Sequence, residues 1–353
     1  MDKKVIVGGL AAVVFVLLLC FVMCDGGSIK PTKPKLTRID TKQLENEYAS
    51  GVVLICNSTY YSITFKDVLT LYFSELDDDG NITGLTIDED EVEPVISWGT
   101  GFFISKDGLI ATNSHVASHV IDMSHVRSQI VNGLTSETDE LKTDINNLNE
   151  QIATLNKRYD DSRDYQTKKK IAKLRKDRDD LQGVINSVNK INTAEYSVDI
   201  VSQNYVAFND TYITNLNDLR GCHLVCNDPD HDLAIIQLGG DKKTPEDRHV
   251  FEWETKVTTS EPLYIIGFNY GPDLASTTDG IKAQITEGKM SQDRGDTFVH
   301  TITTLPGSSG SPILNNEGKV VGVNYAMLKD AEVFKFGVKA KFLEDLVNKA
   351  NIK

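Results

Sequence analysis

The sequence predicts a mainly β domain with a helical hairpin inserted in its middle and an apolar helix at its amino end. Three observations point there: short apolar strands set off by Gly and Asp-Gly turns around residues 99–116, 232–238 and 320–323, heptad spacing in two stretches between Leu134 and Val188, and an uncharged run from Val5 to Cys24. The chain has 353 residues, 40% hydrophobic and 25% charged, ample for a core of about 200 residues with attachments. Lys+Arg 37 against Asp+Glu 51 gives a net charge of −14, which argues against nucleic acid as a partner.

At the amino end, Asp2-Lys3-Lys4 precedes the uncharged run, which as a helix spans about 30 Å, the depth of a bilayer core. Residues 1–24 are therefore expected to form a single-pass transmembrane helix, with Lys3 and Lys4 cytoplasmic and everything after Asp25 on the periplasmic or cell-surface side. Two other readings stay open: a cleaved signal peptide, although no Ala-x-Ala-like site follows, and lipidation at Cys24, although Met23 stands where a small residue belongs. Residues 25–47, with Pro31, Pro34 and several lysines, read as a polar linker to a domain spanning residues 48–353.

Acidic residues crowd positions 75–93 and read as a solvated loop. Within it, Asp77-Asp78-Asp79-Gly80-Asn81 alternates oxygens as an EF-hand-like loop does, but Thr86 replaces the bidentate Glu, and no metal or cofactor is expected. Of the cysteines, Cys20 and Cys24 fall in the membrane segment. Cys222 and Cys226 would lie on one face of one strand, about 13 Å apart and too far to bond each other. With Cys56, which would pair with one of them only from an adjacent strand, they are expected to be buried free thiols.

The chemistry-bearing residues come in three stretches. Gly99-Thr100-Gly101-Phe102-Phe103-Ile104-Ser105-Lys106-Asp107-Gly108-Leu109-Ile110-Ala111-Thr112-Asn113-Ser114-His115-Val116 reads as strand, Asp-Gly turn, strand and a short turn carrying an imidazole. Asp232 opens the apolar strand Leu233–Leu238, where an acid is costly without a partner. Gly307-Ser308-Ser309-Gly310-Ser311-Pro312 lets glycine conformations expose a hydroxyl beside an anion-binding concavity of backbone amides. Alone, the last stretch also reads as a plain Gly/Ser turn before strand Val320–Val323. A Ser hydroxyl needs a base, and the base needs a group to hold its ring, so the three belong together.

Between His115 and Asp232 lies the insertion, residues 125–192. Leu134, Leu141, Ile145, Leu148, Ile152, Leu155 and Tyr159 form one seam, and Ile171, Leu174, Arg178, Leu181, Ile185 and Val188 a second, with polar residues 160–170 between them. A single helix from Leu134 to Ile191 would run about 87 Å and carry Asp232 away from His115. A coiled-coil hairpin returns the chain to its starting point and is preferred. It is either a self-contained surface decoration or a surface for homo-oligomer or partner contact.

In the order His, Asp, Ser, the stretches G-T-G-F-x-I-S-x-D-G-x-I-x-T-N-x-H-V, D-L-A-I-I and G-S-S-G-S-P with V-V-G-V-N resemble the trypsin-like (chymotrypsin-fold) serine proteases, most closely the bacterial HtrA-type branch, over roughly residues 48–122 and 195–350. The resemblance implies an all-β double six-stranded barrel with the site between the barrels. It implies that Ser309 attacks a peptide carbonyl, His115 acts as base and then acid, Asp232 orients the imidazole, and the amides of Gly307 and Ser309 form the oxyanion hole. His119 and His231, the competing histidines, are expected to be solvated or locally bonded. A substrate pocket of Thr303, Asn324 and Tyr325 follows from the same resemblance.

Departures from the family pattern bear on specificity. HtrA-type sequences usually read G-N-S-G-G-P, where Ser308 and Ser311 stand here. S-G-S-P also resembles glutamyl endopeptidases, but those usually carry a His where this chain has Asn324, so a Glu preference is not expected. Thr303 at the pocket base supplies no carboxylate for a Lys or Arg, leaving a neutral, small to medium apolar residue before the cut as the expectation. After Ser309 the chain provides strands at Val320–Tyr325 and Val333–Val338 and a helix with Phe342, Leu343, Leu346 and Val347 on one face, with no room for a PDZ domain. The reading is thus a membrane-anchored serine endopeptidase acting on protein or peptide substrates. Its competitor is a catalytically idle, membrane-tethered scaffold that binds a partner through the hairpin.

Overall fold

The structure, a computed structural model, describes residues 39–77, 81–118, 126–240, 242–259, 261–325 and 335–351. The expected membrane segment, residues 1–24, lies outside the described residues. Among the described residues, no helix is long and apolar enough to cross a membrane.

The first barrel is built from β1 (Val52–Phe65), β3 (Val95–Phe103), β4 (Leu109–Thr112), β5 (Tyr196–Phe208), β6 (Arg220–Asp228) and β7 (Leu233–Leu238), with β2 (Leu69–Phe73) added to the far half of β1. Its strands pair in the order β1-β3-β4-β7-β6-β5, and β5 returns to β1 to close the ring. The second is the closed ring β8-β9-β10-β13-β12-β11, formed by β8 (Pro262–Gly267), β9 (Gln284–Asp293), β10 (Thr297–His300), β11 (Pro312–Leu314), β12 (Val320–Tyr325) and β13 (Lys335–Lys339). Two six-stranded antiparallel barrels therefore stand as expected. Val53, Ile55, Phe103, Ile110, Val206 and Ile236 fill the first. Leu263, Ile265, Phe298, Ile302, Ile313 and Val321 fill the second. A larger apolar cluster including Phe102, Ile235, Phe251, Tyr264, Phe268 and Val323 joins them.

Beyond Thr59 the pairing changes. β1 leaves β3 and continues between β2 and β5 as a three-stranded ribbon, Tyr61 facing Phe73 on one side and Ile200 on the other. This ribbon carries two long helices, Val126–Ser162 and Tyr165–Thr193, that pack against each other. Val126, Ile130 and Ile191 meet Tyr61, Ile63, Phe65 and Phe73 in a separate core at their base. The seam positions Leu134 to Tyr159 and Ile171 to Val188 are all buried or half-buried, with Thr138 and Thr167 filling two further heptad positions. The reversal is tighter than the polar stretch 160–170 suggested: Arg163 takes a left-handed φ of 54°, and Asp164 caps the next helix by accepting from Thr167 N at 2.8 Å.

Three expectations are corrected. The polar linker at residues 25–47 ends earlier than expected, because Thr41–Asn46 is a helix with Leu44 1% exposed and Ile39 N donates to Asn316 O at 3.2 Å. Cys222 and Cys226 do not share a face: a bulge between Leu224 and Cys226 sends the first into the barrel interior and the second toward the joining cluster. The acid-rich loop folds in part, with Glu75–Leu76 pairing to Ile82–Thr83. All three described cysteines are free, and burial pushes the Cys56 thiol up to about 11 and Cys222 to about 12. The closing helix Ala340–Lys349 buries Leu343 and Leu346, as its spacing predicted.

Candidate active site

The site is assembled from the ends of strands in both barrels. β4 ends at Thr112, Asn113 precedes the short helix Ser114–Ala117 without a side-chain cap bond, and His115 stands exposed on its first turn. The turn before β7 brings up Asp232 with a left-handed φ of 52°, a conformation Asp tolerates better than most residues. Three hydrogen bonds fix it. Asn113 Nδ2 donates to the Asp232 carbonyl at 2.8 Å, His115 N donates to Oδ1 at 3.0 Å, and the His115 ring meets Oδ2 through Nδ1 at 2.7 Å. A carboxylate only accepts, so Nδ1 carries the proton and Nε2 presents its lone pair. The acid that looked costly at the head of an apolar strand thus has its partner.

Ser309 comes from the loop between β10 and β11. Gly307 and Gly310 hold φ values of 90° and 87°, which a side chain would resist. A Cβ at Gly310 would also overlap the Thr100 carbonyl and the Thr112 hydroxyl. The loop is stitched to the first barrel by Thr100, fully buried in β3: its amide donates to Ser309 O at 2.8 Å and its Oγ1 to Gly307 O at 2.9 Å, while Phe268 N donates to that Oγ1 at 3.0 Å. Thr112 Oγ1 in turn donates to Thr100 O at 2.7 Å. One short path of bonds therefore runs from the strand that presents His115 to the loop that presents Ser309.

The amides of the loop divide by use. Ser308 N donates to Leu305 O at 3.0 Å, Gly310 N to Asn324 O at 2.8 Å and Ser311 N to Ser308 O at 3.1 Å. Among the described residues, Gly307 N and Ser309 N donate to no protein acceptor, and these are the two amides expected to hold an oxyanion. Ser309 Oγ forms no hydrogen bond with His115 in this structure. Such bonds are often long without substrate and tighten when it binds.

The expected pocket residues fall in different places. Thr303 is exposed on the segment leading into the loop. Tyr325, half-buried, ends β12 with its ring against Phe336 at 5.5 Å between centroids. Asn324 does not form an open pocket wall. It is 1% exposed beneath the loop, where Nδ2 donates to Ser308 O at 2.9 Å and to Ser308 Oγ at 3.2 Å, and Oδ1 meets His300 Nε2 at 3.2 Å. His300 is buried as well, and desolvation lowers its pKa to about 4, so it is neutral at physiological pH. His231 is bonded to Asp228 at 2.8 Å and stacked on Phe342, away from Asp232's carboxylate partner. His119 lies outside the described residues. Thr100 and His300 carried no spacing signal that would have marked them: Thr100 sits inside the His motif but looks like an ordinary strand residue.

Comparison with known proteins places the chain in a family. Residues 99–323 match the family model described as "Trypsin-like peptidase domain". The chain is 34% identical over 120 residues to "Serine protease Do-like HtrA" of Bacillus subtilis (strain 168), 32% of this chain and 26% of that one. It is 31% identical over 108 residues to the protein of the same description from Lactococcus lactis subsp. cremoris (strain MG1363), 29% of this chain and 26% of that one. The matched region spans about a quarter of the length of these curated relatives. Among solved structures, the serine endoprotease from Yersinia pestis aligns with a TM-score of 0.43 at 14% identity, covering 88% of this chain and 66% of that chain.

Proposed function

Because this chain belongs to the trypsin-like peptidase family, we propose that it is a serine endopeptidase that hydrolyses peptide bonds through a covalent acyl-enzyme on Ser309. The observation that carries the reading is the pairing of an oriented His115–Asp232 couple with two unspent amides flanking Ser308. With Nδ1–H committed to Asp232, His115 Nε2 accepts the Ser309 proton as Oγ attacks the carbonyl carbon. The carbonyl oxygen becomes an oxyanion and takes hydrogen bonds from Gly307 N and Ser309 N. Each such donor is worth about 10²–10³ in rate because it meets charge that develops only in the transition state. The imidazolium returns its proton to the leaving amine, and Asp232 stabilises the ring while it is charged. Water then repeats the sequence on the acyl-enzyme.

The protease domain is read as membrane-anchored and extracytoplasmic. The support is the uncharged run Val5–Cys24 behind Lys3 and Lys4, and protease protection of tagged cells tests the orientation. The two packed helices are read as a coiled-coil hairpin whose outer faces meet a second copy or another protein, on the support of their heptad-spaced buried positions.

Fluorophosphonate labelling with peptide mapping tests the enzymatic reading without knowledge of the substrate. Labelling confined to Ser309 and lost in Ser309→Ala supports it. A folded chain that never labels overturns it in favour of a binding scaffold.

A further inference from the structure

Below the nucleophile loop lies a cation that takes no part in the chemistry above. Lys335 opens β13 and pairs across it with His300 of β10. Alternation along β13 puts it on the same face as Gly337, where a Cβ would meet Phe298 and Ile313 of the barrel interior. Lys335 therefore projects from the end of the barrel interior, partly buried, and its Nζ donates to Thr304 O at 2.8 Å. Thr304 follows Thr303 and precedes Leu305, whose carbonyl accepts from both Ser308 N and Ser308 Oγ. The ammonium is thus tied to the segment that runs directly into Ser309.

Among the described residues no carboxylate offsets its charge. Lys339, four residues further along the same strand, pairs with Asp293 at 2.7 Å. Lys335 has no carboxylate partner among the described residues, and desolvation lowers its pKa from the ordinary lysine value. Among the described residues, Thr304, whose carbonyl it meets, and His300, which faces it across the strand pair, are uncharged. A partly desolvated ammonium whose only described partner is one carbonyl gains from an incoming carboxylate and repels an incoming cation.

We propose that Lys335 is a specificity-determining residue that selects an acidic side chain, Asp or Glu, immediately before the scissile bond. The proposal rests on the peptidase reading above. With the substrate carbonyl at Ser309 and its oxygen toward the Gly307 and Ser309 amides, the preceding side chain runs along the 303–308 segment to which Lys335 is tied. A carboxylate there completes an ion pair at a poorly solvated site, an apolar group leaves the ammonium without one, and Lys or Arg meets like charge. This reverses the neutral preference read from Thr303 and from the Asn at position 324. The selecting charge comes instead from the neighbouring strand.

Peptidyl phosphonate esters that differ only in the side chain next to phosphorus, Glu, Asp, Gln, Val or Lys, test this on the full chain, with a simple fluorophosphonate run in parallel. Ser309 modification by the Glu or Asp ester is expected to be at least about tenfold faster than by the Gln and Val esters, and slowest with Lys. In Lys335→Met the Glu ester should lose its advantage over Gln, while Lys335→Arg should keep it. A wild-type chain labelled by the fluorophosphonate that reacts with Gln or Val as fast as with both acids overturns the inference and leaves the peptidase reading standing. An acid preference that survives in Lys335→Met overturns it too. A chain that the fluorophosphonate does not label at all takes down the peptidase reading and this inference together. The Glu-to-Gln ratio is read on wild type, so the test holds even where a variant fails to fold.

Discussion

The nucleophile loop and the helical hairpin both interrupt the barrel strands, and they are held by opposite means. The loop between β10 and β11 is fixed by glycines at φ values of 90° and 87° and by buried polar atoms that each reach a different element: Thr100 from the first barrel, Asn324 from β12 and His300 from β10. The hairpin between β4 and β5 is fixed by repetition, with Ile152, Ile171, Ile185 and Val188 buried along its seam. Surface ion pairs such as Lys142 with Asp139 at 2.7 Å join residues of one helix. The loop is held by a few specific bonds, whereas the hairpin has many similar contacts and its own small core on the β1–β5 ribbon. Precision at the site is therefore expected to depend on a few polar atoms, and the hairpin to be separable from it.

The sharpest way to break that contrast is Thr100→Val, which keeps the shape and removes the hydroxyl that accepts from Phe268 N and donates to Gly307 O. A buried amide is orphaned, at a cost of about 1–3 kcal/mol, and the loop is free to shift by a fraction of an ångström. The fluorophosphonate labelling rate of Ser309 should fall about 10²-fold with the fold retained, and Thr100→Ser should recover most of it. Labelling at the wild-type rate would mean that the loop is positioned by something else.

Acid offers a second perturbation, read through His300 on the loop's side of the comparison. His300 is 2% exposed and its pKa falls from 6.5 to about 4. Between those values the unfolded chain takes up a proton that the folded chain refuses, so stability present above pH 6.5 is lost as pH falls through the window. The full effect is on the order of 3 kcal/mol. Denaturant titrations from pH 7 to pH 4 should show this slope, and His300→Gln should flatten it.

The smallest effect on the site is expected from Ile185→Ala, 5% exposed in the hairpin seam. Removing a buried aliphatic side chain costs about 2–4 kcal/mol locally. Hydrogen exchange should quicken across residues 126–193 and stay unchanged in β3, β4 and β12, with labelling of Ser309 within about twofold of wild type. Loss of labelling would show that the hairpin helps to hold the site.

What the sequence made legible, and what it hid, follows the same division. The two packed helices were readable because apolar spacing from Leu134 to Val188 marks both, and their reversal at Arg163 and Asp164 falls inside the polar stretch 160–170. The pairing of His115 with Asp232 and the glycine-held loop around Ser309 were readable because each sits in a local motif. Thr100, His300 and Lys335 were not, because their roles arise from antiparallel pairing and cross-barrel contact: His300 and Lys335 become neighbours only when β10 lies against β13. Asn324 was assigned to the pocket because the resemblance gives a position along the strand and not the burial of a side chain, which here is spent on Ser308 and His300.

The most direct test of the catalytic account is trapping of the covalent intermediate. Rapid quenching of the chain with an activated ester substrate, followed by mass spectrometry of its peptides, should yield one acyl adduct, on Ser309. The adduct should be absent in Ser309→Ala, and in Asp232→Asn it should form about 10⁴-fold more slowly, because the imidazole then favours the wrong tautomer. Ester turnover that continues in Ser309→Ala, or an acyl group that accumulates on any other residue, would contradict the account.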